Sequence, residues 1–201
     1  SIKMKTSNNM KTSNNMKTSN NMKTIKLLAL LFISILAFSS CSKDDNDNEN
    51  EEELITTVTY TLTNGANSVV MTYDDPDGQG GADGTYTVNG ALDANSTYTG
   101  SISLLNTTED PAENITEEIE EEAEEHEFFY TTTVAGLVIN KTDVDANNNP
   151  IGLETTVTTG GEGLGTLTIV LKHEPAKPND GTANGAGGST DIEVTFEIAV
   201  L

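Results

Sequence analysis

From Leu54 onward, apolar and polar residues alternate with a period of two. In Ile55-Thr-Thr-Val58-Thr-Tyr60-Thr-Leu62, Val58, Tyr60 and Leu62 share one side and the threonines the other. Successive side chains of a strand point to opposite faces, so this pattern predicts a half-buried strand. Similar runs follow at 68–73, 85–89, 97–105, 128–134, 137–140, 153–158, 166–173 and 191–200. Turn-forming pieces separate them, among them Asn64-Gly65, Asp93-Ala-Asn95 and the stretches 145–152, 160–165 and 177–189. Short strands at this spacing predict a mainly β fold, an immunoglobulin-like antiparallel β-sandwich over residues 54–201.

One segment has a different period. Asn114-Ile-Thr-Glu-Glu-Ile-Glu-Glu-Glu-Ala-Glu-Glu-His126 places Ile115, Ile119 and His126 on one helical face. Asn114 and Glu117 stand where a capping box would. Glutamates four apart repel, and Glu124 and Glu125 oppose the helix dipole. The expected helix over 114–126 therefore depends on packing Ile115 and Ile119 against the sheets.

Before Leu54 the texture is different again. Residues 4–21 repeat Met-Lys-Thr-Ser-Asn-Asn three times, and the phrase restarts at Met22. The unit has almost no apolar content, so it has no face to bury, and residues 1–21 read as an over-extended N-terminus. From Met22 the order is Lys23 and Lys26, then an apolar run from Leu27 to Phe38. A bilayer-spanning helix needs about 20 such residues. A basic start with a shorter apolar run predicts a signal peptide over 22–40. Residues 41–53 are acidic and, after Cys41, without an apolar residue. They are expected to be a disordered, self-repelling tether.

Charge sharpens this division. The chain has 201 residues, 10 basic residues that are all lysine, and 32 acids. Six lysines precede Cys41, and every acid follows it. The region after the signal peptide thus sets four lysines against all 32 acids. No basic footprint for nucleic acid exists there. The single Cys excludes an intramolecular disulfide and a Cys-based zinc site.

Phe38-Ser39-Ser40-Cys41 resembles a bacterial lipobox, which implies cleavage before Cys41 and lipidation of its sulfur. The chains would hold the protein to a membrane, each buried CH₂ adding about 0.8 kcal/mol. Lys43-Asp44-Asp45 resembles the signal that sends Bacteroidota lipoproteins to the outer face of the outer membrane. Further along, Ser103-Leu-Leu-Asn-Thr-Thr-Glu-Asp-Pro-Ala-Glu-Asn-Ile-Thr-Glu-Glu-Ile, Asn149-Pro-Ile-Gly, Leu171-Lys-His-Glu-Pro and Gly187-Gly-Ser-Thr-Asp resemble small flavobacterial lipoproteins. These are often labelled "type 1 periplasmic binding fold superfamily protein". That label implies two α/β lobes, whereas the strand pattern here implies one β-sandwich. The resemblance brings no activity or site residues with it. It implies an envelope location and a non-catalytic binding or structural role, with a protein or glycan partner that the residues do not specify.

Two sets of side chains point to metal chemistry. Asp143, Asp145, Asn147, Asn149 and Glu154 occupy positions one, three, five, seven and twelve of an EF-hand-like spacing, which makes Ca²⁺ the candidate cofactor. Asn148 replaces the usual Gly, and Asn tolerates the left-handed turn needed there. Alternatively, the two histidines, His126 and His173, together with Glu122, offer imidazole and carboxylate for a transition metal. There is no nucleophile-elbow or zincin motif, and the Gly-rich stretch 160–163 does not open a helix. The chain is expected not to be an enzyme.

Overall fold

The computed structural model describes residues 53–78 and 82–201. The repeat, the signal peptide, Cys41, Lys43, Asp44, Asp45 and the tether up to residue 52 lie outside the described residues. The strands are β1 (Thr57–Asn64), β2 (Asn67–Asp74), β3 (Thr85–Val88), β4 (Thr97–Leu105), β5 (His126–Thr132), β6 (Val138–Lys141), β7 (Glu154–Thr158), β8 (Gly163–His173) and β9 (Ser189–Val200). Two short helices interrupt them, α1 (Ile115–Glu121) and α2 (Ala183–Ala186).

All strand pairing between these elements is antiparallel, in two sheets. One has the order β3-β2-β1-β4-β7-β6 and the other β5-β8-β9. The split of six and three strands makes one layer wider than in the immunoglobulin arrangement. The alternation builds the core as expected. Val58, Tyr60 and Leu62 of β1 and Tyr98, Ile102 and Leu104 of β4 are buried from the wide sheet. Phe128, Leu167, Ile169, Leu171, Val194, Phe196 and Ile198 are buried from the narrow one, in the same cluster. Each such side chain contributes about 1.5–3 kcal/mol on burial. The Tyr60 and Tyr130 rings meet between the layers at 5.6 Å. Their hydroxyls remain satisfied, Tyr60 against Thr155 Oγ1 at 2.6 Å and Tyr130 donating to the Gly152 carbonyl at 2.5 Å.

The narrow sheet is covered on both faces. On β5, Phe128 faces the sandwich core, while Phe129 packs outside with Val170 and Ala186 beneath the segment that follows β8. This explains the nearly continuous apolar and buried character at the end of β8.

The acidic helix is shorter than its sequence suggests. Ile115 and Ile119 are buried as expected, but α1 ends at Glu121, with Glu122 as its cap. The crowded glutamates and opposed dipole explain the stop, and no basic residue lies in the last turn. His126 is not on the helix; it opens β5. Nor does the capping box form: Asn114 makes no side-chain bond to the helix backbone, and its Nδ2 donates to Glu117 Oε1 at 2.8 Å.

Candidate metal centre

β5 and β8 pair so that His126 lies directly opposite His173. Both imidazoles share the face that carries Phe128 and Leu171 toward the core. The rings stand edge to face with centroids 4.7 Å apart. β9 supplies the third group. Thr190 pairs with Lys172 and Ile192 with Leu171, leaving Asp191 as the extra residue of a bulge. A bulge re-aims a side chain, and the Asp191 carboxylate has no solvent exposure. The fourth group is Glu53, from the segment leading into β1. That segment is held by buried Ile55 and by the Thr56 N–H donating to the Leu105 carbonyl at 2.9 Å.

The donor atoms of these four residues lie within 4.8 Å of one another. His126 Nε2 is 3.2 Å from Glu53 Oε1 and 3.8 Å from Asp191 Oδ2. His173 Nδ1 is 3.7 Å from Glu53 Oε2 and 3.9 Å from Asp191 Oδ1. A tetrahedron of ligands about 2.0–2.1 Å from a zinc ion has edges of roughly 3.3–3.4 Å. Of the four nitrogen–oxygen separations, the 3.2 Å one is close to such an edge and the other three, at 3.7–3.9 Å, are longer.

Hydrogen bonding orients His126. Its Nδ1 lies 3.2 Å from the Glu122 carbonyl. A carbonyl can only accept, so Nδ1 carries the hydrogen and Nε2 of the neutral ring turns its lone pair on the carboxylates. This is the arrangement found behind metal-bound histidines. Nε2 is buried and has no well-aligned hydrogen-bond partner among the described residues. The His126 side chain has no solvent exposure, and those of His173 and Glu53 have 10% each.

The electrostatics of the protein alone favour added positive charge here, a proton or a cation. Burial pushes the His126 pKa down, but the Glu53 carboxylate facing it and the Glu122 carbonyl raise it above the ordinary value. Burial pushes the Glu53 carboxyl up, but His126, its own backbone and the His173 charge hold it below the carboxylate range. Two carboxylates and two neutral imidazoles sum to two negative charges, which a divalent ion would neutralise.

The residues expected from sequence are distributed differently. His126 and His173 come together, but Glu122 enters through its carbonyl and its carboxylate is outside the cluster. In the EF-hand-like loop, Asp143 accepts from the N–H groups of Gly152 and Leu153 at 2.8 and 2.9 Å. Asp145 Oδ1 accepts from those of Asn147 and Asn149, both at 2.9 Å. Asn148 takes the left-handed φ of 64° and closes the turn. Glu154 opens β7 and is exposed; burial, Asp143 and Glu120 raise its carboxyl pKa. The described loop uses its two aspartates to cap its own backbone, and its acids are in neither of the converging groups of His, Asp and Glu. Nothing in the sequence around Glu53 or Asp191 marks either as a ligand. Glu53 ends an acidic run, and Asp191 opens an alternating strand pattern.

Comparison with known proteins returns no matching family model, no matching curated protein and no matching solved structure.

Proposed function

We propose that this chain is a divalent transition-metal-binding protein of the cell envelope, in which the ion has a binding or structural role. The supporting observation is the buried meeting of His126, His173, Glu53 and Asp191, with Nε2 of His126 facing a carboxylate oxygen at 3.2 Å. Two nitrogens and two carboxylates suit Zn²⁺ and its neighbours better than Ca²⁺, which takes six to eight oxygens. Four protein donors in a closed setting favour holding an ion over catalysis, since a catalytic zinc keeps a position open. An ion held by Glu53 would also tie the root of the acidic tether to the narrow sheet. The membrane half of the proposal rests on the lipobox resemblance at Cys41 and on Lys43-Asp44-Asp45.

Titration of the chelator-stripped full chain with Zn²⁺, and separately with Ca²⁺, tests the metal reading. The expected result is binding of Zn²⁺ and, at 100-fold excess over Kd, stabilisation by about 2.7 kcal/mol in thermal unfolding. The double variant His126→Ala/His173→Ala should lose both, and Ca²⁺ should reproduce neither. Zn²⁺ that evolves no heat and leaves the melt unchanged would overturn the assignment. For the anchor, metabolic lipid labelling should stop in Cys41→Ala and the chain should leave the membrane fraction. Persistence there would sink that part alone.

A further inference from the structure

A second buried polar cluster lies on the other face of β5 and is independent of the metal reading. Glu127, only 4% exposed, receives a charge-assisted bond on Oε1 from Lys141 Nζ at the end of β6. Its other oxygen, Oε2, accepts from Asn179 Nδ2 at 2.6 Å. One carboxylate thus bridges an amine and a carboxamide. Lys141 Nζ also lies 4.3 Å from the centre of the Phe129 ring. The carboxamide is held at both ends: Nδ2 donates to the Ala176 carbonyl at 2.9 Å, and Oδ1 accepts from the Gly181 N–H at 2.8 Å.

The cluster brings the three groups that amide transfer needs onto one carboxylate. The amine is a nucleophile, the carboxamide carbon an electrophile, and the carboxylate touches both the attacking and the leaving nitrogen. The Gly181 N–H is bonded to the oxygen on which negative charge would develop. We propose that Lys141 and Asn179 join in an intramolecular isopeptide bond, with Glu127 as the catalytic proton carrier.

Lys141 first gives a proton to Glu127. The freed Nζ lone pair attacks Asn179 Cγ, forming the new C–N bond and an oxyanion at Oδ1. Glu127 passes its proton to Nδ2 and takes a second from Nζ. The oxyanion collapses, the Cγ–Nδ2 bond breaks, and ammonia leaves with the second proton as ammonium. Two protons have moved from Nζ to Nδ2, Glu127 ends as it began, and no oxidant is required. Burial lowers the Lys141 pKa below the ordinary lysine range despite Glu127, which brings the neutral amine closer to working pH. The bond would staple β6 of the wide sheet to the segment following β8 of the narrow one.

Intact-mass measurement of the folded full chain, followed by peptide mapping, tests the proposal. The expected chain is lighter by one ammonia, and its digest contains a branched peptide joining Lys141 to Asn179. Asn179→Ala, a change in a partly exposed loop, should fold, show its full calculated mass with no branched peptide, and melt on the order of 10 °C lower. Glu127→Gln should keep the ammonia even where the fold survives. A folded wild-type chain of unaltered mass overturns the proposal. So does ammonia loss without the branched peptide, the mark of a succinimide at Asn179. A branched peptide that still forms in a folded Glu127→Gln chain removes Glu127 from the mechanism.

Discussion

His126 and Glu127 are consecutive residues of one strand, and both are buried, yet they belong to opposite kinds of site. His126 faces the inner core with His173, Glu53 and Asp191, where, among the described residues, the acids meet no lysine. Glu127 faces outward into a cluster supplied by Lys141 and Asn179, with Lys177, from the same outer segment as Asn179, paired to Asp145 of the β6–β7 loop. The outer cluster carries its own counter-charges, two of the four lysines that follow Cys41. The inner one must import its positive charge as a proton or an ion. Strand alternation alone separates the two by pointing neighbours to opposite faces. Burial thus does not say what a polar group is for; the charge balance around it does.

The sharpest way to test this separation is to break the outer cluster. Glu127→Ala would leave Lys141 buried without its carboxylate, and a buried pair broken on one side costs about 3–5 kcal/mol. Denaturant unfolding should show that loss, while Zn²⁺ affinity at the inner site stays within a few-fold. A parallel fall in affinity would mean that the two faces are coupled.

The converse change is Gly188→Ala. Gly188 has φ +68°, and an added Cβ would lie 2.1 Å from the His173 carbonyl oxygen. The backbone at the end of β8 and the start of β9 would have to separate, moving Asp191 away from the histidines. Strain at such a position costs on the order of 1–3 kcal/mol. Weaker Zn²⁺ binding with an unchanged Lys141–Asn179 peptide map is expected. Unchanged Zn²⁺ binding would show that Asp191 is not required.

The smallest effect concerns acid. Burial pushes the Asp145 carboxyl up, but the bonds from Asn149 and Asn147 and from Lys177 outweigh it and hold the pKa below the ordinary value. A depressed carboxylate pKa contributes stability above the unfolded value of about 3.8–3.9 and loses it as pH falls through the folded one. Asp145→Asn should therefore flatten the acid limb of the stability curve below about pH 4 and leave neutral-pH Zn²⁺ binding alone. An acid limb identical to wild type would show that the turn does not need the charge.

Much of this architecture was legible in the chain. β4 follows its predicted span, and Val58, Tyr60 and Leu62 point inward as their alternation requires. Ile115 and Ile119 bury as an apolar helical pair. The Asn148 turn was readable because Asn tolerates a positive φ. Local repulsion was readable in the glutamate run, but not where it would win, so the helix extent and the place of His126 were missed. The histidines were legible as a possible pair and not as an actual one. His126 could have been placed by noting that it immediately precedes the Glu127-Phe-Phe-Tyr run of a strand.

Sequence alone determined the mainly β character, the faces of the strands and the acidic excess, because period, propensity and charge are properties of neighbours along the chain. Tertiary structure decided which strands pair and in what register, and hence that His126 meets His173. It also decided that a bulge turns Asp191 inward, and that Glu53 and Asn179 each join a site their local sequence does not mark. Those outcomes depend on contacts between residues far apart in sequence. A one-residue shift in register would reverse every face. Only the packed sheets select the register that buries Phe128 on one side and Phe129 on the other.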